Sequence, residues 1–219
     1  MGQFFCLENE HWRIIGIDTG YHSTRFDWGK VAVFERSRYI RKSVHFKPRC
    51  TIPEPLLRWL IETVKPDGDP RGLIVLSHHG GFSSFSDWYQ IPPRQLAEII
   101  HRPVIWFWGH EHKVAIYDRF AVRGGIPTYG RCVGHGGMPV DRGIPTHGPM
   151  PIFYDNRLAK NGYGVNGFVN LTFAGPRLIA EYDDLDGSIV LREEWAVDAN
   201  GSLKLMSKQK LINDTDFHA

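Results

Sequence analysis

The chain has 219 residues, of which 42% are apolar, with Gly 23 and Pro 14, enough for one substantial hydrophobic core. Its 26 Lys and Arg against 24 Asp and Glu give a net charge of +2, and the cations stand singly along the sequence; this excludes the electrostatic footprint of a dedicated nucleic-acid or membrane-surface binder. Cys6, Cys50 and Cys132 are odd in number and form no CxxC pair, which argues against a disulfide framework or a zinc ribbon and points to a reducing compartment.

The amino terminus carries no apolar signal-like core, and no apolar run is long enough to span a bilayer, so a soluble, cytoplasmic protein is expected. Residues 12–17, WRIIGI, are a short apolar run that breaks into Asp18, Thr19 and Gly20, the pattern of a buried strand with a loop behind it. Pro53 and Pro55 open a helix in which Leu56, Leu57, Leu60, Ile61 and Val64 recur at helical spacing, and PDGDP at 66–70 stops it. Residues 72–76, GLIVL, read as a second strand, which ends in Ser77, His78, His79, Gly80 and Gly81. A helix over 93–101, with Leu96, Ile99 and Ile100 on one face, leads into IWFW at 105–108 and then Gly109, His110, Glu111 and His112.

Strand, helix, strand, helix, strand is the order of parallel crossover units, because parallel neighbours need a helix-length return path. Ligands of such sheets gather beyond the carboxyl ends of the strands. After Asp118 the texture changes to Gly- and Pro-rich segments and short β-rich runs at 167–173 and 188–195. Gly175-Pro176, Asp186-Gly187 and Asn200-Gly201 predict antiparallel hairpins. The expectation is an α/β fold with a β-rich second half packed on the first sheet, one domain over 1–210, and a polar tail over 211–219.

The chemistry concentrates in two histidine groups, His78/His79 and His110/His112, each directly behind an apolar strand. Neighbouring strands lie about 4.8 Å apart, so adjacent parallel strands bring both groups to one rim. A single histidine is most often a hydrogen-bonded core or surface residue; four at two successive strand ends favour a metal site, since imidazole suits zinc, iron or manganese. Gly109 is expected to let the backbone turn sharply there. Asp18 and His22 read as loop residues, Trp106 and Trp108 as core filling. The Gly-rich stretch 130–137, with Arg131 and His135, is a weak candidate for phosphate contact.

GHEH at 109–112, LIVLSHHGGFS at 73–83 and IIGIDTG at 14–20 together resemble the later motifs of the calcineurin-like metallophosphoesterases. The resemblance implies a double β-sandwich flanked by helices, with two divalent ions (Mn, Fe or Zn) at the strand ends and a small phosphate ester as substrate. It implies His110 and His112 as metal ligands, one to each ion, together with a histidine of the pair before them. Position directly behind the strand favours His78 and the Gly-Gly that follows favours His79; His78 is taken as the ligand, with His79 and His135 as substrate-binding or supporting contacts.

The family's earlier acidic and Asn-His motifs belong before the IIGIDTG strand, and only thirteen residues precede Ile14. Asp216-Phe217-His218 and Gly68-Asp69 have suitable letters but stand in a polar tail and a turn. The chain therefore reads as the carboxyl-terminal portion of a metallophosphoesterase, its catalysis incomplete without carboxylates that bridge two ions. Two alternatives stand beside this reading: a truncated or degenerate, non-catalytic binding or regulatory module, and a single structural zinc. A sheet lacking its first strands would expose an apolar edge, which predicts self-association or a partner that covers it.

Overall fold

A computed structural model describes residues 4–20 and 50–212. Its architecture is α/β with much more strand than helix, arranged as two sheets. His22, the Tyr-, Phe- and Arg-rich segment around it, Asp216-Phe217-His218 and most of the polar tail lie outside the described residues. Among those described, no helix is long and apolar enough to cross a membrane.

The first sheet is built from β1 (Phe5–Glu8), β2 (Trp12–Gly16), β3 (Gly72–Ser77), β4 (Val104–Trp108), β5 (Val114–Phe120), β6 (Thr128–Val133) and β7 (Pro151–Tyr154), in the order β1-β2-β3-β4-β6-β5-β7. The predicted crossovers are present. Strand β2 runs parallel to β3 with Ile14 opposite Ile74, and β3 runs parallel to β4 with Val75 opposite Trp106. Strand β6 adds a fourth parallel member beside β4, while β1, β5 and β7 pair antiparallel. Part of the Gly-rich stretch 130–137 is thus strand: 130–133 complete β6, and a 3-10 turn, Gly134–Gly136, follows.

The two connections carry the expected helices. Helix α1 (Glu54–Trp59) starts behind Pro53 with Pro55 in its first turn, where a missing N–H costs nothing. It continues as a π-helical turn over Leu60–Val64, which Lys65 terminates in the left-handed conformation at φ 49°. Leu56, Leu60 and Val64 face the sheet. Helix α2 spans Ile91–Ala97 rather than 93–101. Both Pro92 and Pro93 sit in its first turns, and the amides of Ile99 and Ile100 turn back to the Leu96 carbonyl, which ends the helix before the expected residue.

Alternation along the central strands fills two cores. Leu73, Val75, Val104, Trp106 and Trp108 pack toward the helices, and Ile74, Ile105 and Phe107 pack on the other side against the second sheet. That sheet contains β8 (Gly167–Ala174), β9 (Arg177–Asp184), β10 (Ile189–Val197) and β11 (Leu203–Lys210) in the order β11-β10-β9-β8, antiparallel throughout. All three predicted turns join these strands, with Gly175, Gly187 and Gly201 at φ 57°, 85° and 77°, values that an L side chain resists. Leu178, Tyr182 and Trp195 supply the facing surface. Each such side chain contributes roughly 1.5–3 kcal/mol by leaving water.

A buried polar bridge crosses between the sheets. Arg131, fully buried on β6, donates from Nε and Nη2 to Glu193 of β10 at 2.7 and 2.9 Å and from Nη1 to the Tyr117 and Gly130 carbonyls. The Tyr182 hydroxyl donates to the same Glu193 carboxylate at 3.0 Å. Burial works against the guanidinium, but the Glu193 carboxylate outweighs it and holds the Arg131 pKa above its usual value. Arg131 therefore does not lean into a cleft, as the sequence had allowed.

Candidate metal site

Because β2, β3, β4 and β6 are parallel, their carboxyl ends share one rim: Asp18 and Thr19, then His78 and His79, then His110 to His112, then Gly134 and His135. Backbone hydrogen bonds tie the tips together. The amides of Gly109 and His110 both donate to the His78 carbonyl at 3.2 and 2.7 Å, and the His79 amide donates to Thr19 Oγ1 at 2.9 Å.

Three imidazoles converge there. One ring nitrogen each from His78, His79 and His110 lies within 4.8 Å of the others. His78 Nε2 and His110 Nδ1 stand 3.0 Å apart; two nitrogens about 2.1 Å from one ion, at right-angled to tetrahedral spacing, lie roughly 3.0–3.4 Å apart. The donor set fits a borderline divalent ion. Two ring nitrogens also have hydroxyl neighbours: His110 Nε2 lies 2.9 Å from the Tyr89 hydroxyl, and His79 Nδ1 lies 3.2 Å from Thr19 Oγ1. The Tyr89 ring also packs on His79 with centroids 4.4 Å apart.

Electrostatics favour lone pairs over protons. Burial, then the neighbouring His110 and His78 rings, lowers the His79 pKa to about 4, and burial with His78 and His112 nearby lowers that of His110. Both rings are neutral at pH 7, the form that ligates metal. Cys50 Sγ approaches His79 Nδ1 at 3.8 Å, but burial pushes its thiol up to about 12, so it stays protonated and is a poor ligand.

His79, read from sequence as a supporting contact, thus joins the cluster as closely as His78, and His112 stands outside it. The His112 Nδ1 lies 3.0 Å from the Pro139 carbonyl, and its ring occupies the space where a side chain at Gly137 would begin. Among the described residues, buried His135 has no hydrogen-bond partner of good geometry on either ring nitrogen. Its ring packs against Gly167 at the start of β8. Asp18 orders its loop by accepting from the Gly20 amide at 2.8 Å. Trp106 and Trp108 are buried core residues whose indole N–H groups donate to Ser77 Oγ and Glu111 Oε1.

The glycine that the GHEH loop requires is not Gly109, where a Cβ would meet only Gly134 at 3.9 Å. At Gly134 a Cβ would stand 2.0 Å from the Glu111 carbonyl oxygen and 2.4 Å from that of Gly109. The loop is locked from beneath by Glu111 itself. Its buried carboxylate accepts from Ser83 Oγ at 2.6 Å and Trp108 Nε1 at 3.3 Å, while burial raises its pKa.

Sequence reasoning missed Thr19, Tyr89, the lock at Glu111 and the role of Gly134. Thr19 could have been found, since it follows the first parallel strand at the rim. Tyr89 lies in an irregular connection where spacing carries no signal. A scan against models of known protein families finds no match, and a search of curated proteins finds none.

Proposed function

We propose that this chain belongs to a metal-dependent phosphoesterase of the calcineurin-like type, whose substrate is a small phosphate ester. What carries the reading is the convergence of His78, His79 and His110 at the carboxyl ends of adjacent parallel strands. The meeting of the GHEH, SHHGG and IIGIDTG segments at one rim, and two facing sheets with helices on one side, support the reading. A divalent ion bound here would acidify a coordinated water and neutralise phosphate charge. The chain's own residues hold three imidazoles toward one point, orient two of them through Tyr89 and Thr19, and back them with a buried core.

A second reading, a non-catalytic metal-binding relative, is favoured by one observation: among the described residues no carboxylate joins the histidine group, and two-ion hydrolysis needs bridging carboxylates. Hydrolysis of an aryl phosphate by the full chain with added Mn(II) separates the two. Turnover that disappears in His110→Ala supports the phosphoesterase; no turnover above that variant, with metal still bound, supports the binding module.

A further inference from the structure

We propose that the cluster takes a single divalent ion on three imidazoles, through His78 Nε2, His79 Nε2 and His110 Nδ1, and that Tyr89 and Thr19 are positioning residues that set the tautomers required; this rests on reading the cluster as a metal site.

An imidazole offers one lone pair in its neutral form, and the partner of its other nitrogen decides which. At His110 the Tyr89 hydroxyl lies 2.9 Å from Nε2. A proton held there leaves the lone pair on Nδ1, the nitrogen that faces His78 Nε2 at 3.0 Å. At His79 the partner of Nδ1 is Thr19 Oγ1, 3.2 Å away, and the same hydroxyl accepts the His79 backbone amide at 2.9 Å. With the proton on Nδ1, two N–H groups of one residue meet one oxygen, which fixes that ring against its backbone and leaves Nε2 as the lone-pair nitrogen. Tyr89 adds a second restraint, because its ring packs on His79 at 4.4 Å while its hydroxyl reaches His110. One tyrosine thus positions two ligands from different strands.

His112 has no part in this set. Its Nδ1 is engaged by the Pro139 carbonyl and its ring packs against Gly137. Cys50, the other nearby donor, is a protonated thiol that donates to the Thr19 carbonyl at 3.1 Å. Three imidazole nitrogens directed at one point form the donor set of an open zinc-type site.

The test titrates the full chain with Zn(II) by calorimetry and with Co(II) by visible absorption. One ion per chain is expected, lost in His110→Ala and unchanged within about twofold in His112→Ala. Removing a hydrogen-bonding partner of a metal-bound histidine weakens binding by roughly 10–100-fold; Tyr89→Phe and Thr19→Val are expected to do so and to alter the Co(II) spectrum, whereas Thr19→Ser restores wild-type affinity. Two ions per chain, or binding that needs His112, overturns the proposal and leaves the metal-site reading standing. Wild-type affinity in both Tyr89→Phe and Thr19→Val overturns the positioning role. No binding by the wild type overturns the proposal and the metal-site reading together.

Discussion

His135 shows how a residue at the same rim can serve a different purpose from its neighbours. Burial lowers the pKa of its imidazole, while the Val133 backbone and Asp155 act in the other direction and Arg157 adds to the lowering. A base with a depressed folded-state pKa takes up its proton more readily when unfolded. Its neutral form therefore favours the fold above about pH 6.5, the unfolded histidine value, and that contribution is lost as pH falls below it. Melting temperatures of wild type and His135→Phe, compared at pH 7 and pH 5, are expected to show the larger acid-induced drop in wild type; equal drops would place the acid sensitivity elsewhere. His78 and His79 show the limit of spacing at this scale. Adjacent residues on an extended chain point to opposite faces, and that rule makes one of a pair the ligand. Past the end of β3 it no longer applies, because the backbone leaves the pleat at the strand tip, so both rings reach the cluster.

Among the elements, the parallel strands were the most legible. Their apolar runs are short, bounded by loop residues and separated by helix-length returns, so order and direction follow from covalent reach and handedness. The hairpins of the second sheet were legible for a similar reason, since each turns on a glycine with positive φ. Strand β6 was hidden, because TYGRCV between Pro127 and Gly134 has the composition of a loop, and its strand character comes from pairing with β4 and β5. Helix α2 shows boundary drift, its end set by how the chain turns after Leu96 and not by apolar periodicity. The tight seat of the 109–111 loop over Gly134 yields a prediction at this scale. Gly134→Ala would place a methyl group against two backbone carbonyls that cannot move independently, so the loop bearing His110 must shift. Overpacking of this kind costs about 1–3 kcal/mol, read as a lower melting temperature together with weakened Zn(II) binding, whereas Gly109→Ala is expected to change both much less.

For the whole molecule, the join between the sheets rests mainly on apolar contact, with Arg131 and Glu193 as its one fully buried ion pair among the described residues. Arg131→Met leaves the Glu193 carboxylate buried without its partner, which costs about 3–5 kcal/mol. The double variant Arg131→Met/Glu193→Leu removes both charges and is expected to recover most of that loss, measurable by denaturant unfolding; a double variant as unstable as the single would mean that the pair holds the sheets in register by more than charge balance. The predicted uncovered edge also takes a more limited form here. Strand β1, which the sequence did not reveal, covers the edge of β2 and becomes the edge strand itself, with Phe5 and Leu7 exposed on it. A four-residue strand, FCLE between Phe4 and Asn9, is too short to carry an alternation that distinguishes it from a loop, and its placement depends on a tertiary pairing.

The backbone ties at the strand tips carry a mechanical consequence. Since the carbonyl of His78 holds the amides of both Gly109 and His110, the two halves of the histidine group cannot drift apart without tearing the middle of the seven-stranded sheet. The cluster inherits its stiffness from the centre of the fold, as a keystone does from its arch, and a change of shape around it must come from the connecting segments.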